Sequence, residues 1–176
     1  FFWTWYANGP NAPETIESVQ RLNKIHAGVA RHLTEHFEDS DDFNYVLSRL
    51  VVLQDRLLKK LGLGGMNPRI KLAQFNFAKD LSRHFRRPGD RELEPFPETL
   101  DELEAFVDRW EGKNHVFSPI QADLVNALIY AFAQRWFPRP LQTLGRWTAT
   151  YSLEDPFLEH VGIKPLRGLP RMITHG

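Results

Sequence analysis

The residues of this chain best suited to chemistry are histidines, and one of them occupies an unusual position. Each residue of a helix advances about 100° around its axis. On that step Val19, Leu22, Val29, Leu33 and Phe37 fall within a sector of about 80°. His26 lies near the middle of this apolar sector, while Glu17, Lys24, Arg31 and Glu35 lie opposite. An imidazole among apolar side chains has to find a hydrogen-bond partner, expose an edge, or bind something. It is either a satisfied core histidine or a ligand. A neutral imidazole facing an apolar cavity is also what a haem iron needs on its proximal side.

His32-Leu33-Thr34-Glu35-His36 matches H-x-x-E-H, the inverted zincin signature. Histidines four residues apart share a helix face and can ligate zinc, with the carboxylate as base. Here both histidines sit at the polar edge of the stripe, in the last turn of the expected helix, where the macrodipole alone favours them. Arg83-His84-Phe85-Arg86-Arg87 is a basic run at another expected helix end, with the same electrostatic explanation or an anion or membrane-surface contact. Gly62-Leu63-Gly64-Gly65 lacks the following Lys and Ser/Thr of a phosphate loop. Trp110, Trp136 and Trp147 fill core or groove positions, or line an apolar channel. There is no G-x-S-x-G nucleophile elbow.

The elements that must carry these residues read as helices almost throughout. Asn11-Ala12-Pro13 opens a helix expected to run to about Phe37, and Glu38 to Asp42 caps a second that ends at Leu61 before Gly62. Asn67-Pro68 opens a third, to about Phe85. Thr99 to Glu102 and Ser118 to Gln121 have capping-box form and open two more, the latter ended by Pro138. Pro140 to Tyr151 and Pro156 to Val161 read as shorter helices. No segment alternates with period two, so the expectation is a single all-α domain of six or seven helices, residues 1–176, without strands.

Composition narrows the function further. Lys+Arg 22 and Asp+Glu 22 cancel, which argues against a generic nucleic-acid binder. Hydrophobic residues at 42% and charged residues at 25% are globular values. The absence of cysteine removes disulfides, thiolate metal sites and a cysteine nucleophile together. No apolar run approaches the ~18 residues of a membrane span. Either the opening Phe1-Phe2-Trp3-Thr4-Trp5-Tyr6 packs on the domain or the chain is a piece of a longer protein, and the second is the expectation.

Several segments taken together resemble the family of MpaB-type oxygenases and latex-clearing rubber oxygenases. They are Asn23-Lys24-Ile25-His26, then Asp41 to Ser48 (DDFNYVLS), then Phe96 to Leu103 (FPETLDEL), and Trp136 to Leu141 (WFPRPL) with Gly145-Arg146. The similarity spans about Pro10 to Pro170. It implies a distantly globin-like helical fold that binds haem b, with His26 as the proximal iron ligand. Characterised members cleave carbon–carbon double bonds of polyisoprenoids with dioxygen. The partners so implied are dioxygen and a small lipophilic substrate, in an intracellular setting associated with the endoplasmic reticulum, with membrane association through an upstream segment. Where the rubber-oxygenase branch flanks its histidine with arginines, this chain has Asn23 and Ala30. The family's distal-side residues would fall before Phe1, so the chain is expected to lack the N-terminal part of such a domain. A non-catalytic helical domain or degenerate relative is the alternative, and a zinc hydrolase through His32, Glu35 and His36 a third.

Overall fold

The computed structural model describes residues 2–32, 37–112 and 119–164. The fold is all-α, with eight α-helices among the described residues. The chain gathers into two compact units, residues 1–112 and 113–176.

In the first unit the helices are α1 (Phe2–Asn8), α2 (Pro13–Ala30), α3 (Ser40–Lys60), α4 (Pro68–Ser82) and α5 (Leu100–Glu111). α3 is the central element and packs against both α4 and α5, while α1 packs on α2. The reason is its apolar stripe. Phe43, Leu47, Val51 and Val52 are all buried, and they meet Val19 of α2, Phe75 and Leu81 of α4, and Leu103 and Val107 of α5 in one core.

Helix ends follow local chemistry wherever a short polar residue stands at the right place. Asp39 accepts from the Asp41 amide at 2.9 Å and Asn67 from the Arg69 amide at 2.9 Å. Thr99 accepts from the Glu102 amide at 3.2 Å, and the Glu102 carboxylate reaches back to the Glu98 amide at 2.9 Å. At the end of α3, Gly62 adopts φ 75, which lets Leu63 donate to the Leu58 carbonyl and Gly62 to the Lys59 carbonyl, both at 2.9 Å. That is a Schellman closure, and it satisfies two otherwise orphaned carbonyls.

The aromatic N-terminus is a helix in which Trp5 is 2% exposed and the Tyr6 ring stacks on Phe77 with centroids 4.8 Å apart, while Trp3 is 88% exposed. Three expectations are corrected. α2 ends at Ala30, not near Phe37. His32 donates to the Val29 carbonyl in a tightened final turn, and Phe37 has a left-handed φ of 64. Asn11 does not cap α2; its carboxamide oxygen meets His84 Nε2 at 3.0 Å instead. Finally, a two-residue antiparallel ladder, β1 (Arg86–Arg87) with β2 (Arg91–Glu92), turns through Pro88, Gly89 and Asp90. Gly89 and Asp90 take positive φ, and both residue types tolerate it.

In the second unit α6 (Pro119–Trp136) is followed by a 3₁₀ turn at Arg139–Leu141, then α7 (Gln142–Ser152) and α8 (Asp155–His160). α6 and α7 pack closely because Gly145 is buried where a Cβ would meet the Phe137 ring at 2.6 Å. The Ser118 capping box lies outside the described residues. No helix among the described residues is long and apolar enough to cross a membrane.

Candidate functional site

His26 is half-buried on α2 and lines a cavity of about 230 Å³. Helices α1, α2 and α3 each contribute to its wall. Leu22 lies one turn before His26 on the same face; Phe43, Val46 and Leu47 come from the first turns of α3; Trp5 comes from α1. Phe85, just beyond α4, and Phe37 complete the apolar lining, with Asp42 as the acidic member.

The rings around the imidazole are ordered. Phe37 stacks on it at 4.5 Å with an interplanar angle of 12°, and Phe43 stands edge-on at 5.4 Å and 67°. Phe85 is edge-on to Phe43 at 6.2 Å and to Trp5 at 6.0 Å. Trp5 is itself pinned, since its Nε1 donates to Ser18 Oγ at 3.0 Å. Burial pushes the His26 pKa below its ordinary value, because an imidazolium is poorly solvated among these rings. The ring is therefore neutral at pH 7, with one nitrogen lone pair free. Nδ1 is buried and has no hydrogen-bond partner among the described residues, a condition it shares with Thr15 Oγ1, Asn44 Oδ1, Ser48 Oγ and Gln74 Oε1.

The sequence-level stripe is only partly buried. Val19 is fully covered, but Val29 is 36% exposed, and Leu33 lies outside the described residues. Ala30 is buried, and Asn23 is hydrogen-bonded within the protein, so neither contributes charge to the pocket. Of the H-x-x-E-H set, His32 is exposed beyond the end of α2, and Glu35 and His36 lie outside the described residues. Among the described residues no group of three or more His, Cys, Asp or Glu is placed to hold a metal ion.

The basic run is used in turn structure. Arg83 pairs with Asp80 at 3.1 Å, Arg86 donates to the Arg83 and Phe85 carbonyls, and Arg87 donates to the Glu92 and Glu38 carbonyls. The glycine loop after α3 is held by Asp55, which is 4% exposed. It accepts from the Met66 amide at 2.8 Å and from Lys59 and Lys71 at 2.8 and 2.9 Å, and Lys71 also reaches Glu104. Burial by itself would raise the Asp55 pKa, but the bonds from Lys59, Met66 and Lys71 outweigh it and hold the carboxyl well below the usual range. Trp110 stacks on Tyr45 at 3.6 Å, Trp147 stacks on Tyr151 at 4.8 Å, and Trp136 is exposed. Burial pushes the Tyr45 hydroxyl up to about 12; that hydroxyl donates to Glu111, which also binds Arg49 and Arg56. These are structural networks.

Trp5, Phe85 and the α3 residues Asp42, Phe43, Val46 and Leu47 are site residues that sequence reasoning did not bring to His26. All arrive from other elements, and no spacing along α2 encodes them. Compared with known families the chain matches no family model, and no curated protein is significantly similar to it.

Proposed function

We propose that this chain is part of a haem-dependent oxygenase acting with dioxygen on a small lipophilic, isoprenoid-type substrate, as its motifs' resemblance to MpaB-type and rubber oxygenases implies, with His26 as the iron ligand. The observation that carries the reading is a neutral imidazole in an apolar cavity with a buried nitrogen that no group among the described residues satisfies. Such a polar atom costs about 1–3 kcal/mol when left unpaired.

The donor chemistry fits a haem. Burial keeps the ring in the ligating, uncharged form, and Phe37 and Phe43 fix its plane. Leu22, Val46 and Leu47 give the pocket an apolar lining suited to a prenyl chain. Haem, when bound, supplies the activation of dioxygen. The room is short, however. A cavity of about 230 Å³ lies below the ~300 Å³ at which cofactor sites begin, so a porphyrin enters only by displacing a wall.

The same volume favours a second reading, a non-catalytic helical module that holds a small apolar ligand beside His26 without haem. Haem titration followed by absorption separates the two. The oxygenase reading expects a saturable Soret band at one haem per chain that His26→Ala loses. A chain that takes up no haem, or a His26→Ala variant that keeps it stoichiometrically, overturns the assignment. The zinc-hydrolase reading rests on His32, Glu35 and His36, of which only His32 is described, and zinc content by elemental analysis tests it.

A further inference from the structure

Asn23 sits on α2 one turn before His26 and does not line the cavity. Its carboxamide spans the chain that leaves α4. Nδ2 donates to the His84 carbonyl at 2.9 Å, and Oδ1 accepts from the Arg86 amide at 3.2 Å. These two peptide groups flank Phe85. In extended chain the carbonyl of one residue and the amide two residues on point to the same side, so one carboxamide satisfies both as a neighbouring strand would. Phe85 is only 5% exposed, and it lines the His26 cavity edge-on to Trp5 and Phe43. Phe43 in turn stands edge-on to the imidazole. The helix that carries the imidazole therefore also carries the clamp on the pocket's aromatic wall.

We infer that Asn23 is a positioning residue for His26, locking Phe85, and through it the ring cluster around the imidazole, to the helix on which the imidazole stands. This deepens the reading of the His26 cavity as the functional site and rests on it. It also gives the N-x-x-H spacing a physical meaning: one helical turn separates the clamp from the group it positions.

A bond that merely stabilised the unit would act on every buried group alike, whereas a positioning bond acts on His26 selectively. Diethyl pyrocarbonate, which modifies neutral imidazole nitrogens, provides the readout, with each histidine followed by mass spectrometry and no haem needed. In the wild type, half-buried His26 reacts more slowly than exposed His32. Asn23→Leu removes both bonds and is expected to raise the His26 rate several-fold while leaving His32 unchanged. Asn23→Asp keeps the acceptor for Arg86 and loses the donor to His84, so it gives an intermediate rise and carries the test if the leucine variant does not fold. Val107→Ala, in the same core but not lining the cavity, is the control for lowered stability. An unchanged His26 rate in both Asn23 variants overturns the inference, as does an equal rise in Val107→Ala at matched stability. Haem titration of the same proteins keeps the two claims apart: no uptake by the wild type with the selective labelling intact removes the oxygenase reading and leaves the positioning role standing.

Discussion

Replacing Trp5 tests whether the aromatic N-terminal helix is an integral wall of the His26 pocket. Trp5 is 2% exposed, meets Phe85 edge-on at 6.0 Å, and donates from Nε1 to Ser18 Oγ at 3.0 Å. A buried tryptophan removes about 200 Å² from water, which at ~25 cal/mol per Å² sets an upper bound near 5 kcal/mol. Trp→Ala changes in cores cost about 3–5 kcal/mol, and here the void opens onto an existing cavity of about 230 Å³ whose walls are rings that collapse poorly. Trp5→Ala should therefore cost about 4 kcal/mol. Trp5→Phe keeps most of the packing but leaves Ser18 Oγ, on a residue 2% exposed, without its donor, a loss of about 1–2 kcal/mol. Urea unfolding followed by circular dichroism measures both, read as a shift in midpoint at constant slope. A cost below about 1 kcal/mol for Trp5→Ala, or equal costs for the two variants, would refute the view that Trp5 both fills this wall and is pinned by Ser18.

Asp55→Asn should destabilise by about 3 kcal/mol in the same assay, because it strands the Lys71 ammonium, whose side chain is 14% exposed, with Glu104 alone. Adding Lys71→Met to that variant should recover part of the loss, and no recovery would contradict the stranded Lys71 charge as its source. Burial lowers the folded-state pKa of both His26 and His84 beneath the ordinary value, so the unfolded chain binds more protons just below pH ~6.5. This contribution is intact above pH ~6.5 and is lost as pH falls through the folded-state values. Asp55, held below the usual carboxylate range, adds its loss only under pH ~4. Midpoints measured from pH 7.5 to 5 should decline, and His26→Leu should flatten the decline; a flat wild-type profile contradicts it.

Features encoded within a few residues of chain were legible before the structure. Asp39, Asn67, Thr99 and Gly62 start or stop helices through bonds to neighbours two to five residues away, so residue type and spacing suffice. Phe43 and Leu47 of the α3 core were readable from helical spacing, whereas Val51 and Val52 are buried and Val46 is 54% exposed because the packing of α4 and α5 decides which side of the stripe is covered. What failed depended on contacts distant in sequence. α1 has seven residues, too few to show a period, and it is held by Trp5 reaching Ser18 and Phe85. The stripe through Phe37 describes a face and says nothing about where backbone bonds stop, so α2 ends seven residues earlier than its pattern. The ladder at Arg86–Arg87 is too short to alternate and is anchored by Asn23 from another helix.

The central claim is that the unsatisfied imidazole of His26 is there to hold an iron-bearing ligand, and a cavity variant with chemical rescue tests it most directly. His26→Gly removes the ring and leaves the rest of the pocket in place. Haem added to this variant should give no Soret band at one haem per chain, and free imidazole should restore the wild-type spectrum in a saturable manner. A variant that binds haem equally well without imidazole, or that imidazole leaves unchanged while the wild type binds, contradicts the claim.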